Sequence, residues 1–147
     1  MVNPNRRTNK DANHDEIVAE FNRLGAWVHF IEKPADLLLA HNDRFTVVEI
    51  KRNHNHKKTK DTIANYQMTE AEITYYEHVK SRAPYIVIWD ISQVGALLEA
   101  CACLSRYQYL QYCAGAVSQW ARAVYRDDKS IRRLTAQLQD VQKSALI

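Results

Sequence analysis

Three charged side chains occupy positions in this sequence where they could act together on a phosphate. Asp36 comes immediately before a run of three leucines, and Glu49 and Lys51 end a run of branched apolar residues. Mg²⁺ is typically held by one or two carboxylates together with water and the oxygen atoms of a substrate phosphate. A lysine beside such an ion would position the attacking water or stabilise the charge that gathers around the phosphorus atom. These residue types therefore suit metal-dependent hydrolysis of a phosphodiester.

A hairpin between the two apolar segments would bring the two acids face to face. Asn42-Asp43 lies midway between them, and Asn and Asp favour a two-residue turn of the primed type. Asp36 then faces Glu49 with Cβ atoms about 4.5–5.5 Å apart, where like charges destabilise a sheet. Lys51 points to the same face, because side chains alternate along a strand. A bound divalent cation would offset the repulsion, and the alternative is a salt-bridged cluster of the three residues without metal.

The hydrophobic pattern predicts the elements that hold this hairpin. Asn13 followed by Glu16 is typical of a helix start, as is Thr69 followed by Glu72. Ser92 is expected to cap a further helix. The expected elements are a helix over 14–24, strands over 26–31, 35–40 and 45–51, a helix over about 70–82, a buried strand over 85–89, and helices from there onward, the last with an apolar stripe over 131–145. This order predicts an α/β domain in which the third and fourth strands are parallel.

Length and composition predict one folded domain with a helical extension. The 147 residues are 46% hydrophobic and 25% charged, as in ordinary globular proteins. We assign 1–100 to the core and 101–147 to the extension, whose helices offer a surface for a homodimer. Since the sequence has neither an apolar run of about 20 residues nor an apolar signal segment, we expect no membrane partner. The expected location is the cytoplasm, or the host cytoplasm if a phage encodes the protein.

A basic segment follows directly on the hairpin. Residues 51–60 contain five lysines and arginines and no acid. The basic side chains after Lys51 are expected to contact the phosphate backbone of DNA, with an ordinary solvated surface as the alternative. They are Arg52, Lys57, Lys58 and Lys60.

Several short motifs resemble one nuclease family. The segments DLLLA and VVEIK together resemble the Asp…Glu-x-Lys core of the PD-(D/E)XK nuclease superfamily. The segments DANHDEIVAEFNRLG and MTEAEITYYEHV, with YIVIWD, resemble more specifically the small phage-type nucleases related to the VRR-NUC and Holliday-junction-resolvase groups. The resemblance covers roughly residues 10–100. It departs from the family pattern at Ala35, which separates Pro34 from Asp36, whereas the family usually places proline directly before the aspartate.

The resemblance implies a fold, an activity and a set of metal ligands. The fold is the restriction-endonuclease-like αβββαβ core, a mixed sheet flanked by helices. The activity is that of an Mg²⁺- or Mn²⁺-dependent deoxyribonuclease. Matched residue by residue, Asp36, Glu49 and the backbone carbonyl of Ile50 correspond to the metal ligands, and Lys51 corresponds to the catalytic lysine.

Two further residues match catalytic positions of the family. Glu16 corresponds to the acid of the first helix, although its position also fits a helix cap and Glu20 could supply the acid instead. Gln67 lies where related nucleases place a polar residue near the scissile phosphate, with a plain loop residue as the alternative. The resemblance therefore predicts a DNA endonuclease, and a non-catalytic module that binds nucleic acid or a host protein on the same fold is the competing interpretation.

Overall fold

A computed structural model describes residues 13–33, 35–56 and 67–125 of the chain. In chain order they form helix α1 (His14–Arg23), strands β1 (Trp27–Phe30), β2 (Leu37–His41) and β3 (Arg44–Ile50), a 3₁₀ turn (His54–His56), helix α2 (Glu70–Val79), strand β4 (Tyr85–Ile88), and helices α3 (Ser92–Cys103) and α4 (Arg106–Val124). The strands make one mixed sheet in the order β1-β2-β3-β4. Strand β2 is antiparallel to both β1 and β3, and β4 is parallel to β3. The protein is thus of the α/β class.

The hairpin between β2 and β3 has the predicted register. Leu37 pairs with Val48, so the next residue out along each strand places Asp36 opposite Glu49. The turn residues Asn42 and Asp43 both have positive φ, at 53° and 65°, as a primed two-residue turn requires. A slip of one residue would turn every side chain of β3 to the other face of the sheet, and the turn prevents it.

The strands contribute to a hydrophobic core on each face of the sheet. On one face they pack with α1 and α3, around the fully buried Leu39, Ile17 and Leu97. On the other face they pack with α2 and α4, around the buried Val87 and Tyr76. Burying a side chain of this size stabilises the fold by about 1.5–3 kcal/mol before the entropy of ordering it is subtracted. Both faces of β3 and β4 are therefore covered, which explains the unbroken apolar run of β4.

Helix α4 packs along β4, at one side of the sheet. Its Cys113 belongs to the core on the first face and its Trp120 to the core on the second. The boundary predicted at residue 100 falls inside α3, and residues 101–125 share the cores of the sheet. The predicted tail helix over 131–145, and a homodimer formed through it, lie outside the described residues.

Two predicted helix caps are replaced by other contacts. Asn13 is the N-cap residue of α1, but its side chain makes no capping hydrogen bond; its Nδ2 donates to the carbonyl oxygens of Lys51 and Trp89, at 3.1 and 3.0 Å. Ser92 is the first residue of α3 rather than its cap, and its backbone N–H donates to the Asp90 carboxylate at 3.1 Å. Asn13 thereby connects the start of α1 to the ends of β3 and β4.

The described residues contain neither a disulfide bond nor a membrane-spanning helix. Cys101, Cys103 and Cys113 are all free thiols. No helix in the described ranges has both the length and the apolar character needed to cross a membrane.

Candidate functional site

Asp36 and Glu49 meet where the hairpin opens, at the end of β3. The Asp36 carboxylate accepts a hydrogen bond from the backbone N–H of Ile50, with Oδ2 and N 2.7 Å apart. It also lies within hydrogen-bonding reach of the Glu49 carboxyl. Glu49 is only 5% exposed. The two acids therefore lie on the same side of the sheet and are close enough to share one ligand.

Lys51 lies against a third acid, Glu72, which α2 supplies. The Lys51 ammonium Nζ is 3.0 Å from Glu72 Oε1 and 3.7 Å from Glu49 Oε1. The lysine is only 4% exposed. Its backbone N–H donates to the carbonyl of Ile88 at 3.0 Å, so the pairing of β3 with β4 continues through it. Both the backbone and the charged end of the lysine are therefore fixed.

Glu72 has two structural roles at once. Thr69 and Glu72 form the predicted capping box, in which the Thr69 backbone N–H donates to Glu72 Oε1 at 2.9 Å and the Glu72 N–H donates to Thr69 Oγ1 at 3.3 Å. The same oxygen, Oε1, accepts the bond from Lys51. The sequence pattern revealed only the cap. The contact with Lys51 depends on how α2 is placed against the sheet, for which the sequence carries no local signal.

Three carboxyl groups around one ammonium leave an excess of negative charge. Burial raises the pKa of Glu49 well above its usual value, and the charge of Asp36 and a hydrogen bond with Glu72 raise it further. Burial also raises the pKa of Asp36, against the opposing effect of its hydrogen bond from Ile50. Burial would also raise the pKa of Glu72, but the hydrogen bond with Glu49 and the charge of Lys51 have a larger effect, so the pKa of Glu72 is lowered. Glu49 is therefore the carboxyl that retains a proton most readily.

The donors of this cluster fit a hard divalent cation. Asp36 and Glu49 supply two carboxylates, and Ile50 lies between Glu49 and Lys51, with its carbonyl as the third predicted ligand. Nowhere in the described ranges are three or more His, Cys, Asp or Glu side chains grouped so that together they could hold a metal ion. Two carboxylates completed by water and phosphate are, however, what Mg²⁺ commonly receives from a protein. Asp36, Glu49 and the Ile50 carbonyl could therefore hold Mg²⁺ if water and substrate supplied the remaining ligands.

A buried hydroxyl near the acids strengthens this fit. Tyr85 is 2% exposed, and its hydroxyl has no hydrogen-bond partner among the described residues. Burial raises the pKa of Tyr85, as do the charges of Glu49, Glu72 and Asp36. A buried hydroxyl without a partner costs about 1–3 kcal/mol. A water molecule in the hydration shell of a cation would give it one.

The other predicted acid, Glu16, is an exposed residue of α1. The buried side of α1 consists of His14, Ile17, Val18 and Phe21, so Glu16 faces solvent. Within the described ranges it makes neither a hydrogen bond nor an ion pair with the residues of the site. The alternative acid, Glu20, is paired with Arg23, whose Nη2 is 2.9 Å from Glu20 Oε2.

The remaining predicted residues surround the site less closely. Gln67 is half-buried before α2, and no hydrogen bond joins it to the acids in the part of the chain that the structure describes. Arg52 directly follows the lysine and is half-buried. The predicted phosphate-binding lysines Lys57, Lys58 and Lys60 lie outside the described residues.

The cluster could hold a cation between the Asp36 and Glu49 carboxylates and place the fixed Lys51 ammonium beside it. That combination suits hydrolysis of a phosphate ester. No protein-family model, curated protein or solved structure significantly matches the chain.

Proposed function

We propose that this protein is a metal-dependent endonuclease that hydrolyses phosphodiester bonds of DNA, using Mg²⁺ or Mn²⁺. The observation that carries the proposal is the convergence of Asp36 and Glu49 beside the buried Lys51. The element order α1-β1-β2-β3-α2-β4 agrees with the αβββαβ core of the PD-(D/E)XK superfamily. We extend the proposal to that restriction-endonuclease-like fold, with residues beyond β4 as a helical addition.

Each residue of the cluster has a role in this mechanism. Asp36, Glu49 and the carbonyl of Ile50 hold the cation. When bound, the cation supplies Lewis-acid chemistry, polarising the phosphoryl oxygen and lowering the pKa of water. Lys51 orients the attacking water or stabilises the charge that develops on the phosphate, and Glu72 fixes the position of its ammonium.

The basic segment supports DNA as the substrate. Arg52 begins this segment one residue after the catalytic lysine, and Lys57, Lys58 and Lys60 add three more positive charges. Such a segment attracts phosphates and weakens its hold as the salt concentration rises. We propose that it guides the DNA backbone toward the acids.

One observation favours a second candidate, a binding module without catalysis. Lys51 is already paired with Glu72 and Glu49, so part of the charge of the cluster is neutralised without a cation. In this alternative the fold binds nucleic acid or a host protein, and the cluster is a structural ion-pair network. The two candidates differ in whether DNA is cut.

A cleavage assay tests the proposal. The protein is incubated with duplex, single-stranded and branched DNA in Mg²⁺, Mn²⁺ or chelator, beside Asp36→Asn and Lys51→Ala. Each substitution is expected to lower the cleavage rate by at least about 100-fold, because it removes a cation ligand or a group that stabilises the transition state. Asp43→Asn is the matched control, since Asp43 lies in the exposed turn and asparagine tolerates its positive φ.

The substrates and the metals together decide between the candidates. Cleavage that needs a divalent cation and is lost in both variants, while DNA binding remains, supports the enzyme. If the wild-type protein cuts none of the three DNA forms in either metal, the binding module takes its place.

A further inference from the structure

A cavity of about 830 Å³ opens at the carboxyl end of β4. Its walls come from the turn after β3, from the segment between β4 and α3, and from the facing sides of α3 and α4. The volume falls in the range of pockets that bind small molecules. The proposed hydrolytic mechanism makes no use of this cavity.

The lining suits an uncharged, flat and polar ligand. Tyr112 provides aromatic surface, and small residues such as Gly115 leave room beside it. Trp89 also borders the cavity, with its ring centroid 5.9 Å from that of His54. Asn55 and Gln119 add amide groups at the exposed rim. Asparagine and glutamine side chains pair with the hydrogen-bonding edges of nucleobases, and aromatic side chains stack on their faces.

The charge of the lining argues against a phosphate ligand. Among the described residues that line the cavity there is neither lysine nor arginine. The one carboxylate, Asp90, accepts hydrogen bonds from the Asn53 amide and from the Ser92 backbone N–H, each at 3.1 Å. The lining therefore offers a nucleobase a better environment than it offers an anion.

The cavity is joined to the hydrolytic cluster through short connections. Asn53, in its wall, follows Lys51 by two residues, which is at most about 7 Å of extended chain. Asn13 donates hydrogen bonds to the backbone carbonyls of both Lys51 and Trp89. The cluster and the cavity thus lie at the same end of β3 and β4, the acids on the face that α2 covers and the cavity between α3 and α4. A DNA strand held at the cluster reaches the cavity by passing around this end of the sheet.

We propose that this cavity receives an unpaired nucleobase of the DNA strand that is cut. The inference rests on the proposed nuclease function and specifies its substrate. A base inside a duplex is stacked and paired, so it reaches such a pocket only when it is unpaired or rotated out of the helix. The substrate class is therefore DNA with an unpaired nucleotide within a few positions of the scissile phosphate, as in single strands, bulges and junctions.

Gly115→Leu fills the cavity with little disturbance of the fold. Space around Gly115 is open, since a Cβ added there meets nothing within 4 Å. The residue lies inside α4, where leucine is a better helix former than glycine by roughly 0.5–1 kcal/mol. Gly95→Leu is the matched control, because Gly95 is an exposed glycine of α3 that does not line the cavity, and a Cβ there meets only the Leu24 side chain at 4.0 Å.

Binding is measured by fluorescence anisotropy with labelled single-stranded, bulged and fully paired oligonucleotides, with chelator present so that no cleavage occurs. Gly115→Leu is expected to weaken binding to single-stranded and bulged DNA by about tenfold, the loss of one stacked base. Its binding to the paired duplex is expected to equal that of the wild type, and Gly95→Leu is expected to change neither. Thermal unfolding confirms that both variants are folded.

The outcomes separate this inference from the nuclease proposal. If Gly115→Leu binds every DNA form as the wild type does, or loses affinity equally for paired and unpaired DNA, the pocket is refuted whether or not the protein cuts DNA. Failure of the wild type to bind unpaired DNA also refutes it. If unpaired DNA binds through the pocket but is never cut, the pocket stands and the nuclease proposal fails.

Discussion

Glu72 both pairs with Lys51 and takes part in the capping box of α2. Two substitutions at this position are expected to distinguish what its charge and its hydrogen bonds contribute to stability. Glu72→Gln keeps an oxygen that accepts hydrogen bonds from Thr69 and Lys51, because glutamine also serves in a capping box. It removes only the negative charge beside the lysine. Glu72→Ala removes the charge and the hydrogen bonds from Thr69 and Lys51, and it leaves only the half of the capping box in which the backbone N–H of residue 72 donates to Thr69 Oγ1.

The expected costs follow from the burial of the pair. Breaking a buried ion pair costs about 3–5 kcal/mol when the remaining charge has no other partner. Lys51 keeps Glu49 at 3.7 Å, so we expect about 3 kcal/mol for Glu72→Ala. A hydrogen bond to a charged group contributes about 1 kcal/mol more to stability than a hydrogen bond between neutral groups. We therefore expect Glu72→Gln to lower the free energy of unfolding by about that amount. At roughly 4 °C per kcal/mol for a chain of this size, the melting temperatures fall by about 12 and 4 °C.

Urea unfolding and thermal unfolding in chelator measure both variants. Glu70→Gln is the matched control, because it removes the same charge from an exposed position in the same helical turn, and we expect less than about 0.5 kcal/mol from it. The reasoning is refuted if Glu72→Gln and Glu72→Ala lose the same stability, or if neither differs from Glu70→Gln.

Three further predictions concern the same region. Burial raises the pKa of Glu49, so in chelator the stabilisation that the protonated Glu49 gives the fold is complete below about pH 4.5 and is lost as the pH rises through the folded-state pKa. Melting curves at several pH values should show that loss, and Mg²⁺ should offset it. Thr69→Ala should cost about 1 kcal/mol in urea unfolding through loss of the cap, with Thr74→Ala, at an exposed position of α2, as control. Asn13→Ala should cost about 1–3 kcal/mol, because it leaves two backbone carbonyls without that donor, and a loss below about 0.5 kcal/mol would contradict this.

The hairpin and its register could be predicted because their signals are local. Asn42-Asp43 fixes the turn, and the turn fixes which residue of β2 faces which residue of β3. The meeting of Asp36 and Glu49 follows from those two facts alone. The order of the helices and strands up to β4 is also local, since it depends on capping residues and on apolar periodicity.

Contacts between distant segments were not predictable in this way. Glu72 contacts Lys51 because α2 packs on the face of the sheet to which the Lys51 side chain points. The two residues are 21 positions apart in the sequence. Asn13 has the sequence position of a cap, yet the ends of β3 and β4 offer its amide two carbonyls instead. The sequence pattern of α4 shows that it is a helix, but not that it packs along β4 and joins both cores.

The position of α4 limits how the sheet can associate with other chains. A strand at the side of a sheet exposes backbone groups that can pair with a further strand. Helix α4 packs along β4, so among the described strands β1 is the side left for such pairing. Strand β1 has only four residues, and its Trp27 is 58% exposed. Among the described strands, a further strand could therefore be added only beside β1, where it would pair over at most four residues next to the exposed Trp27 indole.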